Sequence, residues 1–498
     1  MKKIIILVML ALAVMSVSAV SAGENITNLA DVSDEVVMVD ENADDAVGDA
    51  FIQDSEISAN STTGYESFST EFSVTLTSNG TALASKPVSI NVNNVEYKRT
   101  TDSNGQATLN VKLAKGTYQA VYSFAGDDFY GPSNGTATIT VKDPEKTVFK
   151  VVDKDINYRQ GSKSVFIVRL LTSSGAAVKN QQVTITANGK SHKTVTDSRG
   201  YAQVYLSLKK GTRKVSYSFK ANSPYLSSKG YTYLKVKASL PKGNGYWMWG
   251  SDMKSVSLKT LKSKGTKNIF LHSYAINVFG KNTVTSWISS ANKYGMKVHI
   301  WMQVFYDGKW HVPVGKDGVY KYSYMSKKIA LAKSYAKIKG VAGVHLDYVR
   351  YGGTAYNYDS AVKGINYFVK KVCVEVRKVR PNCIISASVM PEPGMLDIYY
   401  GQDISTMSKY LDVIIPMAYK GNYGKSTSWI KYVTNSFVLE SNGAQIWTGL
   451  QAYKSDSNPK PLSYSQLLKD AKAAKSGGAK GVLLFRMGIT KLLDFNKV

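Results

Sequence analysis

The chain has 498 residues, of which 44% are hydrophobic, and a formal net charge of +27. This length exceeds what one hydrophobic core usually supports, and the composition excludes a wholly disordered protein. Residues 23–66 contain acidic residues but no Lys or Arg, so the rest of the chain is strongly basic. A basic surface attracts polyanions, such as an anionic cell-wall polymer, although a lysine-rich solvated surface is the alternative. No segment is typical of a nucleic-acid-binding module, so no nucleic-acid partner is predicted.

Residues 1–22 have the pattern of a signal peptide. Lys2 and Lys3 precede an apolar run, and the small residues Val20-Ser21-Ala22 form a cleavage site. An uncleaved anchor is the alternative, because the run approaches the roughly 17–25 residues that span a bilayer. We expect a secreted or cell-surface, wall-associated protein with no membrane span after cleavage. Residues 23–64 are acidic and poor in aromatics, which predicts a disordered spacer.

An internal repeat follows the spacer. The segment Thr-Asp-Ser-Asn-Gly at 101–105 recurs as Thr-Asp-Ser-Arg-Gly at 196–200, 95 positions later. Alternating apolar residues and frequent turns predict two antiparallel β-sandwiches, at residues 65–142 and 148–237. Both units resemble the bacterial immunoglobulin-like repeats of surface adhesins. The resemblance implies a stalk or adhesive unit, or a plain spacer, and neither unit contains residues that suggest catalysis.

Strand-like and helical segments alternate from residue 243 onward. This alternation predicts a (β/α)₈ barrel over 243–498. An open doubly wound sheet is the alternative, but no Gly-rich phosphate loop follows the first strand. One helix is predicted over 325–338. The eight predicted strands are 245–249, 268–274, 297–305, 343–351, 384–392, 412–419, 445–453 and 481–488.

The fourth predicted barrel strand contains an acid that faces inward. Side chains alternate along a strand, so Tyr348 should face the helices while His345 and Asp347 face the barrel axis. An acid inside a barrel is costly unless it is paired or functional, which makes Asp347 the first catalytic candidate. An ion pair with Arg350 at the rim is the alternative role.

The fifth predicted strand supplies a second carboxylate, Glu392, at its C-terminal end. Glycoside hydrolysis needs two carboxylates on either side of the scissile bond. We predict Asp347 as nucleophile or transition-state stabiliser and Glu392 as acid/base. A solvated loop position is the alternative for Glu392.

Aromatic and polar residues at the strand ends are candidates for sugar binding, because aromatic rings stack on sugars while polar groups fix their orientation. His345 is also compatible with a core histidine or a metal ligand. The predicted substrate-binding residues are Trp249, Trp301, Gln303, His345, Arg350, Met417, Tyr419, Gln451 and Arg486.

Motifs for other chemistries are missing from the sequence. It contains no Gly-x-Ser-x-Gly, His-Glu-x-x-His or Cys-x-x-Cys segment, so no serine hydrolase elbow, metal site or cofactor is predicted. Cys373 and Cys383 flank a predicted helix-to-strand turn. They form a disulfide in one interpretation and two buried thiols in the other.

Two strand motifs resemble a known family. Gly-Val-His-Leu-Asp-Tyr-Val-Arg-Tyr at 343–351 and Asp-Val-Ile-Ile-Pro-Met-Ala-Tyr at 412–419 resemble strands four and six of hypothetical glycosyl hydrolase barrels, and the second is also similar to chitinase-type barrels. The resemblance covers about residues 243–498 and implies a catalytic role for Asp347. Chitinases have a series of acids ending in Glu at strand four, whereas Asp347 is the one acid here, which favours a direct Asp/Glu pair.

The predicted function is therefore a secreted or cell-surface glycoside hydrolase. Its substrate would be a cell-wall or extracellular polysaccharide. The alternative is an adhesin-like protein whose barrel binds glycans without cleaving them.

Overall fold

The computed structural model describes residues 52–489 and 491–498. The predicted signal peptide and the predicted spacer up to residue 51 lie outside the described residues. The spacer prediction is wrong at its C-terminal end, because Glu56–Ser58 and Thr62–Tyr65 are β-strands. Ile57 is buried in the first sandwich and pairs with Leu76, so this segment contributes to the core.

The first repeat folds into two β-sheets that pack around a core of their own. One sheet contains the strands Glu56–Ser58, Thr70–Ser78, Thr81–Ala82 and Gln106–Val111. The other contains, in spatial order, Thr62–Tyr65, Ser133–Lys142, Gly116–Phe124, Pro87–Val92 and Val95–Thr100.

The second repeat has the same two-sheet arrangement and a separate core. Its three-stranded sheet contains Thr147–Val151, Ser164–Thr172 and Tyr201–Leu206. The second sheet has five strands, in the spatial order Tyr158–Arg159, Ser228–Lys237, Gly211–Phe219, Gln182–Ala187 and Lys190–Val195.

The repeated Thr-Asp-x-x-Gly segment is a tight turn in both sandwiches. Asp102 Oδ1 accepts hydrogen bonds from two backbone N–H groups within the turn, and Asp197 does the same. Gly105 has φ +70°, and a Cβ there would lie 2.4 Å from the Leu76 carbonyl oxygen. Glycine is required by both the backbone conformation and the close approach, which explains why the motif recurs.

The C-terminal part is a closed barrel of eight parallel strands, as predicted. All eight strands lie where the sequence predicted them and are shorter at their C-terminal ends, where the chain turns into the loops. The strands are Gly245–Met248, Asn268–His272, Lys297–Gln303, Gly343–Asp347, Ile384–Val389, Val413–Pro416, Gln445–Gln451 and Gly481–Phe485.

Helices surround the barrel. The predicted helix over 325–338 is observed at Tyr322–Ala336. A β-hairpin, Tyr453–Ser455 and Asn458–Pro461, follows the seventh barrel strand. The other α-helices are Leu258–Ser263, Tyr274–Lys293, Ala361–Val379, Leu396–Tyr400, Ile404–Met407, Thr427–Glu440 and Tyr464–Ser476, and the 3₁₀ turns are Gly250–Lys254, Ala355–Asn357 and Phe495–Lys497.

The cysteines lie in the packed layer between the helices and the barrel. Cys373 and Cys383 are both buried free thiols, so the predicted disulfide is wrong and the alternative interpretation is correct. Burial raises the pKa of Cys373 to about 11 and that of Cys383 to about 12, so both remain protonated small apolar groups. Among the residues that the structure describes, no helix is long and apolar enough to cross a membrane.

The second sandwich docks on the barrel through a buried carboxylate, Asp412, which directly precedes the sixth barrel strand. Arg159 of the sandwich donates to Asp412 Oδ1 at 2.7 and 3.1 Å, and Asn157 donates to the same oxygen at 2.8 Å. Within the barrel, Arg377 and the Ile385 backbone N–H donate to Oδ2 at 3.0 and 2.9 Å. Although burial opposes ionisation, the two arginines hold the pKa of Asp412 well below its usual range.

Two further groups complete this contact. Asp153 of the sandwich accepts hydrogen bonds from Tyr410 and Lys370 of the barrel. Lys237, at the end of a sandwich strand, is buried beside Asp412. Burial, reinforced by the neighbouring arginines, lowers the pKa of Lys237 to about 8.

Asp412→Asn should destabilise the chain by about 3–5 kcal/mol, because two arginines would remain buried without a full counter-charge. Chemical unfolding followed by tryptophan fluorescence measures this loss, since all seven tryptophans lie in the barrel. The matched control is Asp143→Asn, which removes an exposed ion pair with Lys115 and should cost under about 1 kcal/mol. Equal effects of the two substitutions would contradict the proposed role of Asp412.

Candidate active site

A cavity of about 320 Å³ opens at the C-terminal ends of the barrel strands. Its wall combines aromatic side chains with polar and charged ones, among them Asp347. This is the end of a (β/α)₈ barrel at which active sites lie. The lining residues are Trp247, Trp249, Trp301, Gln303, Asp347, Tyr348, Arg350, Ser388, Met390, Pro391, Met417, Tyr419, Asn422, Tyr423, Tyr453, Asp456 and Phe485.

Asp347 is the last residue of the fourth barrel strand and points into the cavity, with 9% of its surface exposed. The indole N–H of Trp301, on the adjacent third strand, donates to Oδ2 at 2.9 Å. The backbone N–H of Tyr348 donates to Oδ1 at 2.9 Å. Each carboxylate oxygen therefore has a fixed donor, and the position of the group is set by two neighbouring elements.

Tyr348 lines the cavity, so the prediction that it faces the helices is wrong. Its φ is +54°, in the left-handed region that a residue with a side chain rarely adopts. This conformation ends the strand and breaks the alternation of side chains. As a result, the two consecutive residues Asp347 and Tyr348 both face the cavity, and the Tyr348 N–H reaches the carboxylate. Backbone strain of this kind is concentrated at functional sites.

Burial raises the pKa of Asp347 above its usual value. The opposing influences are the hydrogen bonds from Tyr348, Trp301 and Ser388 and the charge of Arg350. Arg350 forms no ion pair with Asp347; its guanidinium lies 4.6 Å from the ring centroid of Trp310. Arg350 therefore lines the cavity as a stacked cation, and the alternative of an ion pair at the rim is not observed.

His345 lies beneath the cavity and is completely buried, so the prediction that it binds substrate is wrong. The Trp247 indole donates to Nε2 at 3.1 Å, while Nδ1 lies 2.9 Å from the Ser386 hydroxyl and Nε2 lies 2.9 Å from that of Ser388. An indole N–H can only donate, so Nε2 is an acceptor and the ring is neutral. Burial also lowers the pKa of His345 far below its usual value.

Two other predicted sugar-binding residues support the wall instead of lining the cavity. Gln451 is buried and donates to Asn422 Oδ1 at 2.8 Å. Arg486 pairs with Asp252 at 3.1 Å and lies 5.7 Å from the Trp249 ring centroid. The predicted residues that do line the cavity are Trp249, Trp301, Gln303, Asp347, Arg350, Met417 and Tyr419.

Asp456 is a cavity carboxylate that the sequence analysis missed. It lies on the hairpin after the seventh strand, where Tyr453 Oη donates to Oδ1 at 2.6 Å and Asn422 Nδ2 donates to Oδ2 at 2.8 Å. Burial raises the pKa of Tyr348 and of Tyr419, and the charges of Asp347 and Asp456 add to this effect; all four side chains line the same cavity. The sequence contains one signal for this role, since Asp456 follows shortly after the C-terminal end of the seventh barrel strand.

Glu392 does not line the cavity. It lies in the loop after the fifth strand, where Tyr400 Oη donates to Oε1 at 3.2 Å. Its Oε2 is buried and has no hydrogen-bond partner among the described residues. Burial, followed by the negative charge of Glu392, raises the pKa of Tyr423, which lines the cavity, so Glu392 lies close to one of the lining residues without lining the cavity itself.

A second, more open groove of about 720 Å³ adjoins the cavity. Trp310 forms the boundary, since it lines the groove while its ring contacts Tyr348 and Arg350 of the cavity. Farther along, Tyr322 is 54% exposed and stacks on Tyr320. The groove thus extends the aromatic surface of the cavity outward. In the described part of the chain, no three His, Cys, Asp or Glu side chains are arranged to hold a metal ion.

The comparison with protein families agrees with this geometry. Residues 277–474, from the second barrel helix to the eighth, match the family model described as "Putative glycosyl hydrolase domain". The predicted family resemblance is confirmed. The matched segment includes Asp347, Glu392 and Asp456, whereas the first, second and eighth barrel strands and both sandwiches lie outside it. No curated protein matches the chain.

Several solved structures show distant likeness. A β-galactosidase from Marinomonas ef1 is 11% identical with a TM-score of 0.38, covering 49% of this chain and 54% of that one. The spore cortex-lytic enzyme SleL of Bacillus cereus is 9% identical with a TM-score of 0.37, covering 53% of this chain and 76% of that one. An endo-1,4-β-D-mannanase of Thermotoga petrophila is 12% identical with a TM-score of 0.36, covering 49% of this chain and 88% of that one. The chain spans about half the length of the β-galactosidase. These values are too low to bear on function.

Trp301→Phe should raise the pKa of Asp347, because the indole N–H stabilises the charged carboxylate and phenylalanine lacks a donor. The carboxyl carbon resonance of Asp347, followed by NMR against pH in protein labelled with ¹³C-aspartate, measures the shift without depending on activity. The control is Trp249→Phe, which changes a cavity aromatic that does not contact the carboxylate. An unchanged Asp347 titration in Trp301→Phe would disprove this role of the indole.

Proposed function

We propose that the barrel hydrolyses glycosidic bonds of a polysaccharide. The observation that carries this proposal is Asp347, a buried carboxyl at the base of an aromatic cavity at the catalytic end of a (β/α)₈ barrel. A carboxyl that is kept partly desolvated is suited to donate a proton to a leaving oxygen. Aromatic walls suit sugar rings. The family match of residues 277–474 supports the same reaction class.

We propose Asp347 as the general acid. Its raised pKa keeps the proton available nearer to neutral pH, while Trp301 and Tyr348 hold both oxygens in place. This assignment differs from the sequence-based expectation, in which Asp347 was the nucleophile or stabiliser. The difference follows from its burial, which favours the protonated form.

Asp456 is the better candidate for the second carboxylate. It lines the cavity and is oriented by Tyr453 and Asn422, as a group that activates water or attacks the sugar must be. Glu392, the partner predicted from sequence, does not line the cavity and accepts a hydrogen bond from Tyr400 instead. Asp456 and Glu392 can be distinguished by mutagenesis, because substitution of the true second carboxylate should abolish turnover and substitution of the other should not.

The natural substrate is proposed to be a cell-wall or extracellular polymer, with the enzyme exported and held at the cell surface. The open groove beyond Trp310 supports a substrate longer than the cavity itself. The sandwiches are proposed to be immunoglobulin-like units that serve as a spacer or an adhesive element. Glycan binding without cleavage is the outcome that would favour an adhesin.

Asp347→Asn and Asp456→Asn should each lower kcat by about 10²–10⁴-fold, the usual contribution of general acid–base catalysis. Release of reducing ends from a panel of purified wall and storage glycans, using the full chain, measures the effect. Glu392→Gln is the matched control and should change kcat by less than about tenfold. If Glu392→Gln abolishes turnover and Asp456→Asn does not, the second carboxylate is Glu392. If the unmodified chain binds glycans without cleaving them, the proposed hydrolase activity is refuted.

Tyr322→Ala should weaken the use of long substrates while sparing short ones. Loss of one stacking ring should raise the KM for the polymer by about three- to tenfold, equivalent to about 1 kcal/mol. The KM for a two- or three-sugar substrate should stay constant, since Tyr322 lies outside the cavity. Tyr294→Ala, which removes an exposed tyrosine that lines neither the cavity nor the groove, is the control. Equal effects on both substrate lengths would contradict an extended binding groove.

A further inference from the structure

The outer face of the five-stranded sheet in the second sandwich has an unusual composition. Its inner face contributes Val183, Ile185, Val215 and other residues to the core, so the intervening residues face solvent. Tyr231 and Tyr233, on the strand Ser228–Lys237, are 58% and 60% exposed. Two large aromatic side chains are therefore exposed together on one strand of this face.

The two tyrosines form one platform. They are two residues apart and therefore lie on the same face, with ring centroids 5.7 Å apart. The neighbouring strand adds Lys214, whose ammonium lies 4.5 Å from the Tyr231 centroid. An aromatic surface and a positive charge thus lie side by side, a combination that suits an anionic ligand with flat, apolar ring faces.

Positive charge continues on both sides of this platform. Lys229 and Lys235 flank the tyrosines on the same strand and face, and Lys193 lies on the outer strand of the sheet. Lys229 and Lys235 are six positions apart in the sequence, or about 20 Å along an extended strand. The four strands Gln182–Ala187, Lys190–Val195, Gly211–Phe219 and Ser228–Lys237 contain no Asp or Glu. The charge is therefore not neutralised within the sheet.

The first sandwich provides an internal comparison, because it has the same fold without this surface. The positions equivalent to Tyr231, Tyr233 and Lys214, 95 residues earlier, are Thr136, Thr138 and Gln119. The strand register is also the same, since Gln119 pairs with Thr138 as Lys214 pairs with Tyr233. The aromatic and basic residues are therefore not needed to build the sandwich.

We propose that this tyrosine–lysine face binds an acidic polysaccharide whose sugars carry carboxylates. Tyrosine rings stack on sugar rings, lysines attract the carboxylates, and the hydroxyls of Ser216, Ser218 and Thr184 lie between them on the same face. The length of the charged surface fits a polymer rather than a single sugar. The site is separate from the barrel cavity, so it does not depend on the proposed hydrolase activity.

Binding of the full chain to polygalacturonate, measured by affinity electrophoresis and calorimetry, tests the proposal. Tyr231→Thr/Tyr233→Thr, which introduces the residues of the first sandwich, should weaken binding at least tenfold. Lys214→Gln should weaken it less, and added salt should weaken binding of the unmodified chain. Tyr205→Asn is the control. It replaces a 41% exposed tyrosine of the opposite sheet with the residue type found at the equivalent position of the first sandwich, Asn110, so it should leave binding unchanged.

Transfer of the two tyrosines and the lysine to the first sandwich tests whether these residues are sufficient for binding. Gln119→Lys/Thr136→Tyr/Thr138→Tyr in the first sandwich should strengthen binding by several-fold. Neutral dextran, polyphosphate and single-stranded DNA serve as comparison ligands that lack, respectively, the charge, the sugar rings and the polysaccharide backbone. The proposal is overturned if the double tyrosine variant binds polygalacturonate like the unmodified chain, or if any comparison ligand binds as tightly through the same two tyrosines.

Discussion

The buried carboxylate of Asp412 fixes how the second sandwich and the barrel are joined. Arg159 and Asn157 from the sandwich and Arg377 from the barrel all bind this one side chain. A buried charge is costly when it is unpaired, so each partner depends on the others remaining in place. The sandwich is consequently held in a defined orientation at the N-terminal end of the barrel strands, opposite the cavity.

The cavity depends on a second buried carboxylate, with different consequences. Asp412 is bound by two arginines, and its pKa falls; Asp347 is bound by neutral donors, and burial raises its pKa. The same residue type is therefore held as an anion at one end of the barrel, whereas burial favours its protonated form at the other. The surrounding partners, rather than the carboxyl itself, set this difference.

The alternation of strand-like and helical segments predicted the eight strands, and the alternation of side chains along the fourth strand predicted the inward position of Asp347. The prediction failed where local geometry departs from this alternation, as at Tyr348, whose positive φ turns its side chain toward the cavity. It also failed where tertiary packing, rather than the strand itself, determines the position of a side chain. Asp456 reaches the cavity on a hairpin, whereas Glu392, in the loop after the fifth strand, does not line it; neither arrangement follows from the alternation of side chains along a strand.

The position of the docking contact also determines how the protein would respond to mechanical load. Tension applied through the sandwiches would reach the barrel through the covalent segment 238–244 and through two ion pairs, Arg159–Asp412 and Lys370–Asp153. These contacts lie beside the starts of strands and at the outer helices, whereas the cavity is formed by loops at the opposite end. Shear between sandwich and barrel would therefore strain the ion pairs first, and the positions of Asp347 and Asp456 would be preserved until the attachment failed.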